Sequence, residues 1–213
     1  MEAIKRQEVL ELARRARGHI RKIYLHWTAG TYDQLFPDYH LLVRGDGSLV
    51  TSTRDWTRIL PHTWNRNTGA LGIALCCAKD AMLYADGTFD LGDYPPTPLQ
   101  VESTSILLAT LSDVWKLPLE PAQIMTHAEA ADLDGYGPSM AGTPAFERWD
   151  LWKLKDYDGV WRSGGAVLRG KGLYYQWVKR AGMGSPLREA PTTLGSRMQR
   201  KIRETGLSKN PSL

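Results

Sequence analysis

The sequence predicts an α/β fold: a single domain with a central mixed β-sheet flanked by helices, plus a basic C-terminal extension. Three observations predict it. Residues 71–78 form a continuous apolar run of strand length, which is typical of a buried central strand. Asp46-Gly47 stands between alternating apolar residues of 39–52, which indicates a β-hairpin. Thr97-Pro98 is an N-cap followed by proline at the first helical position, and apolar residues recur at helical spacing to Trp115.

The other elements follow in chain order. Residues 3–17 predict a helix that ends at Gly18. Residues 20–26 are rich in strand-forming residues and end on His26, and residues 123–126 form a last short strand before His127. We therefore expect both histidines at the rim of the sheet.

The C-terminal third gives weaker signals. The aromatic segment 148–154 is expected to open a helix, and beyond Gly164 only residues 187–205 look helical. The predicted organisation is an N-terminal helix over 1–18, a sheet-containing domain over 19–160 and a basic extension over 161–213.

Composition excludes several classes of protein. Among 213 residues, 42% are hydrophobic and 23% are charged, which is globular and excludes disorder of the whole chain. The two cysteines, Cys76 and Cys77, are adjacent, so a disulfide framework is excluded. No apolar run approaches the roughly 20 residues that span a bilayer, and the N-terminus has no apolar signal-peptide core. We expect synthesis in the cytoplasm without a signal peptide.

The net charge of +4 hides an asymmetry. Residues 162–213 hold eleven Lys/Arg against two Glu, residues 1–22 hold seven Lys/Arg against three Glu, and the middle of the chain is acidic. Basic ends indicate an anionic partner such as nucleic acid, a membrane surface or an acidic envelope polymer. The alternative is a basic tail that packs against the acidic body.

Two of the five histidines and one carboxylate could form a metal site. His26 and His127 end predicted strands, and Asp150 follows 23 residues after His127. Two imidazoles and one carboxylate make a three-ligand zinc site that leaves a fourth position for water. The spacing alone also fits ordinary half-buried polar residues.

Several segments carry a resemblance that extends this argument over about residues 20–155. They are IYLHWTAG (23–30), YHLLV with GDG (39–47), HTWNRNTG with LGI (62–73), TH (126–127), and GYGP with RWDLW (135–152). In this order they resemble the zinc-dependent N-acetylmuramoyl-L-alanine amidases, a family that includes phage endolysins, bacterial cell-wall amidases and animal peptidoglycan recognition proteins. The last pair of segments is similar to a phage endolysin-like branch.

The resemblance implies the activity and its central residues. It implies that the chain binds one Zn²⁺ through His26, His127 and Asp150. It also implies hydrolysis of the amide between N-acetylmuramic acid and the L-alanine of the peptidoglycan stem peptide. Tyr39 matches a catalytic tyrosine beside the metal. Arg148 stands where many members carry a catalytic lysine, and an arginine there could stabilise charge but not shuttle a proton.

The resemblance also implies substrate-binding residues. His62 matches a histidine that lines the cleft, Asn67 would pair with the substrate's peptide backbone, and Trp27 and Trp64 would flank the cleft, although both tryptophans could simply be packing residues. His40 is expected to face away from Tyr39 and to be a core histidine. At Ala74 the chain departs from the muropeptide-recycling branch, whose members have glutamate there.

Other functions remain open at this point. A non-catalytic peptidoglycan-binding module is one alternative, and a cytoplasmic muropeptide-recycling amidase is another. Specific nucleic-acid binding is not expected, because residues 162–213 match no base-reading motif. We expect a monomer whose partner is bacterial peptidoglycan, reached by holin-type release or another export route. The basic extension would bind an anionic envelope polymer or a membrane surface.

Overall fold

The computed structural model describes residues 1–182. It confirms the predicted fold class, with one mixed sheet and four α-helices. The six strands of the sheet are β1 (Glu2–Ala3), β2 (Lys22–Trp27), β3 (Leu41–Val43), β4 (Leu49–Thr51), β5 (Ala70–Leu75) and β8 (Ile124–Thr126). The helices are α1 (Arg6–Arg15), α2 (Pro98–Trp115), α3 (His127–Asp134) and α4 (Gly164–Arg180).

Two small hairpins lie outside the main sheet. They are formed by β6 (Met82–Leu83) with β7 (Phe89–Asp90), and by β9 (Lys153–Lys155) with β10 (Trp161–Ser163). A single 3₁₀ turn follows α3 at Pro138–Met140. None of the helices in residues 1–182 is long and apolar enough to cross a membrane.

The order of strands in the sheet is β1-β4-β3-β5-β2-β8. The neighbours β3, β5, β2 and β8 are parallel, whereas β4 pairs antiparallel with β3 and β1 pairs antiparallel with β4. The predicted hairpin is confirmed as β3–β4, since Arg44 N donates to Ser48 O across its turn. The sheet therefore places β2 and β8 side by side, with their C-terminal ends at the same edge.

Alternation along β2 divides the sheet into two faces. Ile23, Leu25 and Trp27 pack into the main core, which also contains apolar residues of α1, α2 and α4. Tyr24 belongs to a separate small cluster with Met125 and Ala130. His26 shares the face of Tyr24, because successive side chains of a strand point to opposite sides. His26 therefore lies on the sheet face opposite the one that packs against the main core.

The helix predicted from Thr97 to Trp115 is confirmed. The Thr97 hydroxyl accepts from Gln100 N at 3.1 Å, and Gln100 Oε1 accepts from Thr97 N at 3.0 Å. This capping box satisfies two free donors at the start of α2. At the other end, Trp115 Nε1 donates to Ala13 O at 2.8 Å and joins α2 to α1.

Two expectations for the C-terminal part were wrong. Residues 148–154 form a turn and β9 instead of the start of a helix. Residues 164–180, expected to be irregular, form α4, which packs against α2 and β8. The helix α4 is therefore packed on the sheet-containing unit, and the boundary after residue 160 stays a prediction. The helix expected over 187–205 lies outside the described residues.

Candidate metal centre and active-site cleft

The pairing of β2 with β8 brings the two candidate histidine ligands together. The parallel register aligns Leu25 with Thr126, so the next residues, His26 and His127, end neighbouring strands. His127 is also the first residue of α3, whose N-cap is Thr126, with Glu129 completing a capping box. A short strand that turns directly into a capped helix therefore fixes the direction of the His127 side chain.

A turn rather than a helix delivers Asp150. Trp152 N donates to Trp149 O at 2.9 Å, and Leu151 adopts a left-handed backbone with φ 57°. A left-handed residue interrupts a right-handed helix, which explains why the predicted helix is absent. Ala128 N donates to Asp150 O at 3.2 Å, so the first turn of α3 holds Asp150 beside His127.

The three candidate ligands meet in a near-equilateral triangle. His26 Nδ1 lies 3.2 Å from His127 Nδ1, and each nitrogen lies 3.4 Å from Asp150 Oδ2. Ligands about 2.0–2.1 Å from a tetrahedral zinc ion are separated by about 3.3–3.4 Å, so the triangle matches one face of such a site. All three residues are buried. The donor set and its spacing fit a zinc ion with a fourth position open.

Electrostatics keep His26 and Asp150 in the forms that a metal needs. Burial lowers the pKa of His26 to about 4, so its ring is neutral near pH 7. Burial would raise the pKa of Asp150, but hydrogen bonds with His127 and His26 outweigh it and hold that pKa below its ordinary value. A neutral imidazole and an ionised carboxylate are the metal-binding states of these side chains.

The triangle lies at a cleft of about 760 Å³. Its lining combines aromatic, amide and charged side chains: Asp38, Tyr39, Pro61, His62, Thr63, Trp64, Asn65, Asn67, His127, Tyr136, Glu147, Arg148 and Asp150. A half-open cleft of this size with convergent polar groups is typical of a small-molecule or peptide site.

The two predicted catalytic residues lie on this cleft at different depths. The ring of Tyr39 lies 5.0 Å from that of His26, centre to centre, and its hydroxyl donates to Trp27 O at 3.5 Å. Burial, and then the charge of Asp150, raises the pKa of Tyr39 well above its usual range, so the phenol keeps its proton. Arg148 is half exposed at the rim, with its guanidinium 3.4 Å from Glu147 Oε1.

Three of the four predicted substrate-binding residues line the cleft, and one does not. His62 and Asn67 lie on its wall, and Trp64 is 67% exposed with its ring edge-on to Tyr136. Asn67 Oδ1 accepts from His62 N and Thr63 N, so this side chain also shapes its own loop. Trp27 is buried in the main core, edge-on to Trp149. Its side chain points to the opposite sheet face from His26, so the structure does not support a place in the cleft for Trp27.

His40 is held away from the candidate metal centre. Its Nδ1 accepts from Gly72 N at 3.0 Å, and its Nε2 lies 2.9 Å from Arg58 O, to which it donates. Both ring nitrogens are thus occupied by backbone groups, as expected of a core histidine. The strand alternation from which we expected His40 to face away from Tyr39 is absent, however, because β3 begins only at Leu41.

The sequence argument missed two cleft residues. The Thr63 hydroxyl lies between two histidines, 2.9 Å from His62 Nδ1 and 3.3 Å from His26 Nε2. The Tyr136 ring lies 6.2 Å from that of His127, and its buried hydroxyl has no hydrogen-bond partner among residues 1–182. Both residues stood inside the segments that carried the resemblance. Only the folded loops show that their side chains turn toward the cleft.

The family model for N-acetylmuramoyl-L-alanine amidase matches residues 16–139. This match contains His26, Tyr39, His62, Asn67 and His127, and it ends before Arg148 and Asp150. Among curated proteins, no significant match to the sequence is found.

Solved structures give more distant likenesses. The N-acetylmuramoyl-L-alanine amidase LysC from Clostridium intestinale URNW is 18% identical, with 51% of this chain and 70% of that chain covered and a TM-score of 0.35. The Ph2119 endolysin from the Thermus scotoductus MAT2119 bacteriophage Ph2119 is 20% identical, with 53% and 73% covered and a TM-score of 0.36. Drosophila peptidoglycan recognition protein SA is 17% identical, with 53% and 70% covered and a TM-score of 0.37.

TM-scores this low carry no conclusion, whereas the family match spans more than half of the 213 residues. The chain belongs to the N-acetylmuramoyl-L-alanine amidase family.

Proposed function

We propose that this chain is a zinc-dependent N-acetylmuramoyl-L-alanine amidase of the phage endolysin-like branch. Its substrate would be the amide between the lactyl group of N-acetylmuramic acid and the L-alanine of the stem peptide. One observation carries the proposal: the atoms His26 Nδ1, His127 Nδ1 and Asp150 Oδ2 form a buried triangle of tetrahedral-zinc dimensions at an open cleft.

The reaction consumes one water. Its oxygen adds to the lactyl carbonyl carbon, the bond from that carbon to the alanine nitrogen breaks, and the products are a carboxylate and a peptide amine that takes up a proton. When bound, zinc would polarise the carbonyl and lower the pKa of a water to about 7. The neutral phenol of Tyr39 would donate a hydrogen bond to the carbonyl oxygen as negative charge develops there.

The remaining cleft residues would bind and orient the substrate. Arg148, at the rim, would attract a carboxylate of the stem peptide or stabilise the developing charge. Trp64 and Tyr136 form an aromatic wall against which a sugar or peptide could pack. His62 and Asn67 would provide polar contacts.

The test combines metal content with product release. Purified protein should carry about one zinc per chain and release free stem peptide from cell-wall sacculi, and a chelator should stop the release. Asp150→Ala should lose zinc and activity together. Asp33→Ala, which changes an 85%-exposed carboxylate that does not line the cleft, should keep both. A wild-type chain that binds no zinc yet cleaves sacculi would refute the metal mechanism.

The same assay separates the two alternatives. A non-catalytic peptidoglycan-binding module would bind sacculi, with or without zinc, and release nothing. A recycling amidase would cleave soluble anhydro-muropeptides much faster than sacculi. The register places Ala74 beside His26, so β5 provides no carboxylate next to the candidate ligand, and this favours the endolysin-like alternative.

The C-terminal residues carry a proposal about partners. We infer that they bind an anionic envelope polymer or membrane surface after holin-type release or another export step, with the protein acting as a monomer. Support comes from α4, whose outer face exposes Leu173, Tyr174 and Trp177 just before the basic residue Arg180. Exposed aromatic rings beside basic residues are typical of surfaces that meet a membrane interface.

A further inference from the structure

A single hydroxyl connects a candidate zinc ligand to the wall of the cleft. Thr63 Oγ1 lies 3.3 Å from His26 Nε2 and 2.9 Å from His62 Nδ1, and Thr63 is 2% exposed. Because a hydroxyl buried to this degree is shielded from water, the three side chains form a continuous chain of hydrogen bonds from His26 through Thr63 to His62.

The ligand end of this chain determines where the protons lie. His26 presents Nδ1 to the triangle, so a neutral His26 that ligates zinc carries its proton on Nε2. That proton is donated to Thr63 Oγ1. A hydroxyl has one hydrogen, and the only other partner of Thr63 Oγ1 among the described residues is His62 Nδ1, so the hydroxyl donates to it.

The far end of the chain is then fixed as well. Because His62 Nδ1 accepts, the proton of a neutral His62 lies on Nε2. That atom is inaccessible to solvent, so it does not reach a ligand in the cleft. The His62 ring lies against Gly72 of β5 and has a hydrogen bond with the backbone of Ala70 in the same strand. The chain of hydrogen bonds therefore joins His26 on β2 to a histidine that is buried against β5.

We propose that Thr63 is a positioning residue: its hydroxyl accepts from His26 Nε2, donates to the buried His62 Nδ1, and so orients His26 for zinc. The proposal rests on the proposed zinc amidase function. Thr63 contributes no ligand to the candidate zinc site, and it acts through the two histidines. Hydrogen-bonding partners of this kind around metal-ligating histidines commonly change metal affinity by about 10–100-fold when removed.

The first experiment needs no variant. Long-range ¹H–¹⁵N spectra of the zinc-loaded full chain, assigned by the signals lost in His62→Gln, should show His62 with a protonated Nε2 and an unprotonated Nδ1. The opposite tautomer in the zinc-loaded protein would overturn the proposal, because the chain of hydrogen bonds would then run the other way.

The second experiment removes the hydroxyl. Thr63→Val keeps the shape, and we expect its zinc affinity, measured by competition with a chromophoric chelator, to fall about 10–100-fold. At saturating zinc its kcat for a soluble muropeptide should return most of the way to the wild-type value, because the hydroxyl acts through zinc binding, and the His62 signals should still be shifted. Thr63→Ser should restore the zinc affinity and the His62 signals. Thr104→Val, which removes another buried hydroxyl in α2, is the matched control and should change none of them.

The outcomes distinguish this inference from the function on which it rests. Wild-type protein that binds no zinc and releases no peptide would contradict the amidase proposal itself. Wild-type protein that binds zinc and cleaves, with Thr63→Val matching it in zinc affinity and His62 signals, would contradict only the role of Thr63. If Thr63→Val does not fold, the tautomer of the wild-type protein and the Thr63→Ser variant still decide the matter.

Discussion

Among single residues, Tyr39 and His40 show how neighbours in the chain can serve different purposes. The Tyr39 ring lies over His26 in the cleft, whereas His40 is bonded through both nitrogens to the backbone of Gly72 and Arg58. His40 therefore holds the start of β3 against β5, and this support places Tyr39. Tyr39 itself lines the cleft, where the proposed reaction would use its phenol.

The Tyr39 hydroxyl can be tested alone. Tyr39→Phe should keep zinc, since no ligand atom is removed, and should reduce turnover by about 100-fold or more, as loss of one donor to a developing oxyanion does. Zinc content and the initial rate on a soluble muropeptide check this. Near-normal turnover in Tyr39→Phe would remove the residue from the mechanism.

Buried histidines predict how stability depends on pH. Burial lowers the pKa of His26 to about 4 and of His62 to about 2, and it lowers the pKa of His40 as well. An unfolded histidine titrates near pH 6.5, so between about pH 6.5 and 4 the unfolded chain binds more protons than the folded one. Stability must then fall as the pH is lowered through this window.

Calorimetry of the zinc-free protein checks the expectation. The Tm should decrease steadily from pH 6.5 to pH 4.5. His19→Gln, at an exposed position, should give the same decrease, whereas His40→Gln should start from a lower Tm and show a shallower slope. A Tm that does not change across this range would contradict the burial argument.

Among the elements, α4 is the clearest failure of sequence reasoning. Its glycines indicate a loop by propensity. In the structure, a Cβ at Gly172 would lie 3.2 Å from Leu119 Cδ1, and a Cβ at Gly164 would overlap the carbonyl oxygen of Leu151. Glycine is needed at Gly164, where the overlap is with backbone, and Gly172 lets α4 lie close to Leu119, so tertiary packing outweighs helix propensity. The same lack of tertiary information hid the turn at Asp150, whose left-handed Leu151 has no sequence signature.

Two glycines of α4 make a matched pair of variants. Gly164→Ala should push on Leu151, the residue next to Asp150, and destabilise the fold by about 1–3 kcal/mol while weakening zinc binding. Gly170→Ala meets no atom within 4 Å and should stabilise the helix by about 0.5–1 kcal/mol. Urea unfolding and zinc competition measure both effects. Equal effects from the two changes would mean that α4 does not press on the Asp150 turn.

Over the whole molecule, the structure divides the basic C-terminal residues into two groups. Within α4 and the preceding hairpin, Arg169 pairs with Glu129, Lys171 with Glu102, Lys179 with Asp113 and Arg162 with Asp158. These bases neutralise the acidic body, as the alternative interpretation of the charge pattern expected. Residues 183–213 hold six further Lys/Arg against two Glu and lie outside the described residues.

A truncation tests what the second group does. The helix α4 runs to Arg180, so the chain should be cut after Gly182. The shortened protein should bind zinc and cleave soluble muropeptides normally. It should cleave intact sacculi more slowly, and the difference should shrink as salt rises, because charge attraction is screened beyond about 8 Å at physiological ionic strength. Equal rates on sacculi at low salt would exclude a targeting role.

Sequence and structure agree most closely where local signals and long-range pairing coincide. The hairpin at Asp46-Gly47 and the capped helix α2 follow from local rules, and they are confirmed. The meeting of His26 with His127 depends on the parallel register of β2 and β8, which no local pattern specifies. The resemblance to a family provided that information. It could not place Trp27, whose side chain turns into the core.

The loop between His127 and Asp150 is closed by hydrogen bonds at its base, and this closure has a practical consequence. Tyr136 O accepts from both Glu147 N and Arg148 N, so the two ends of 136–148 are fixed to each other independently of what lies between them. Lengthening a loop whose base is closed costs little free energy of folding, because the closure entropy grows only with the logarithm of the loop length. Gly142 to Ala145 are exposed at its tip. A binding peptide inserted after Thr143 should therefore leave His26, His127 and Asp150 in place, which makes this loop a grafting point for directing the protein to a chosen cell surface.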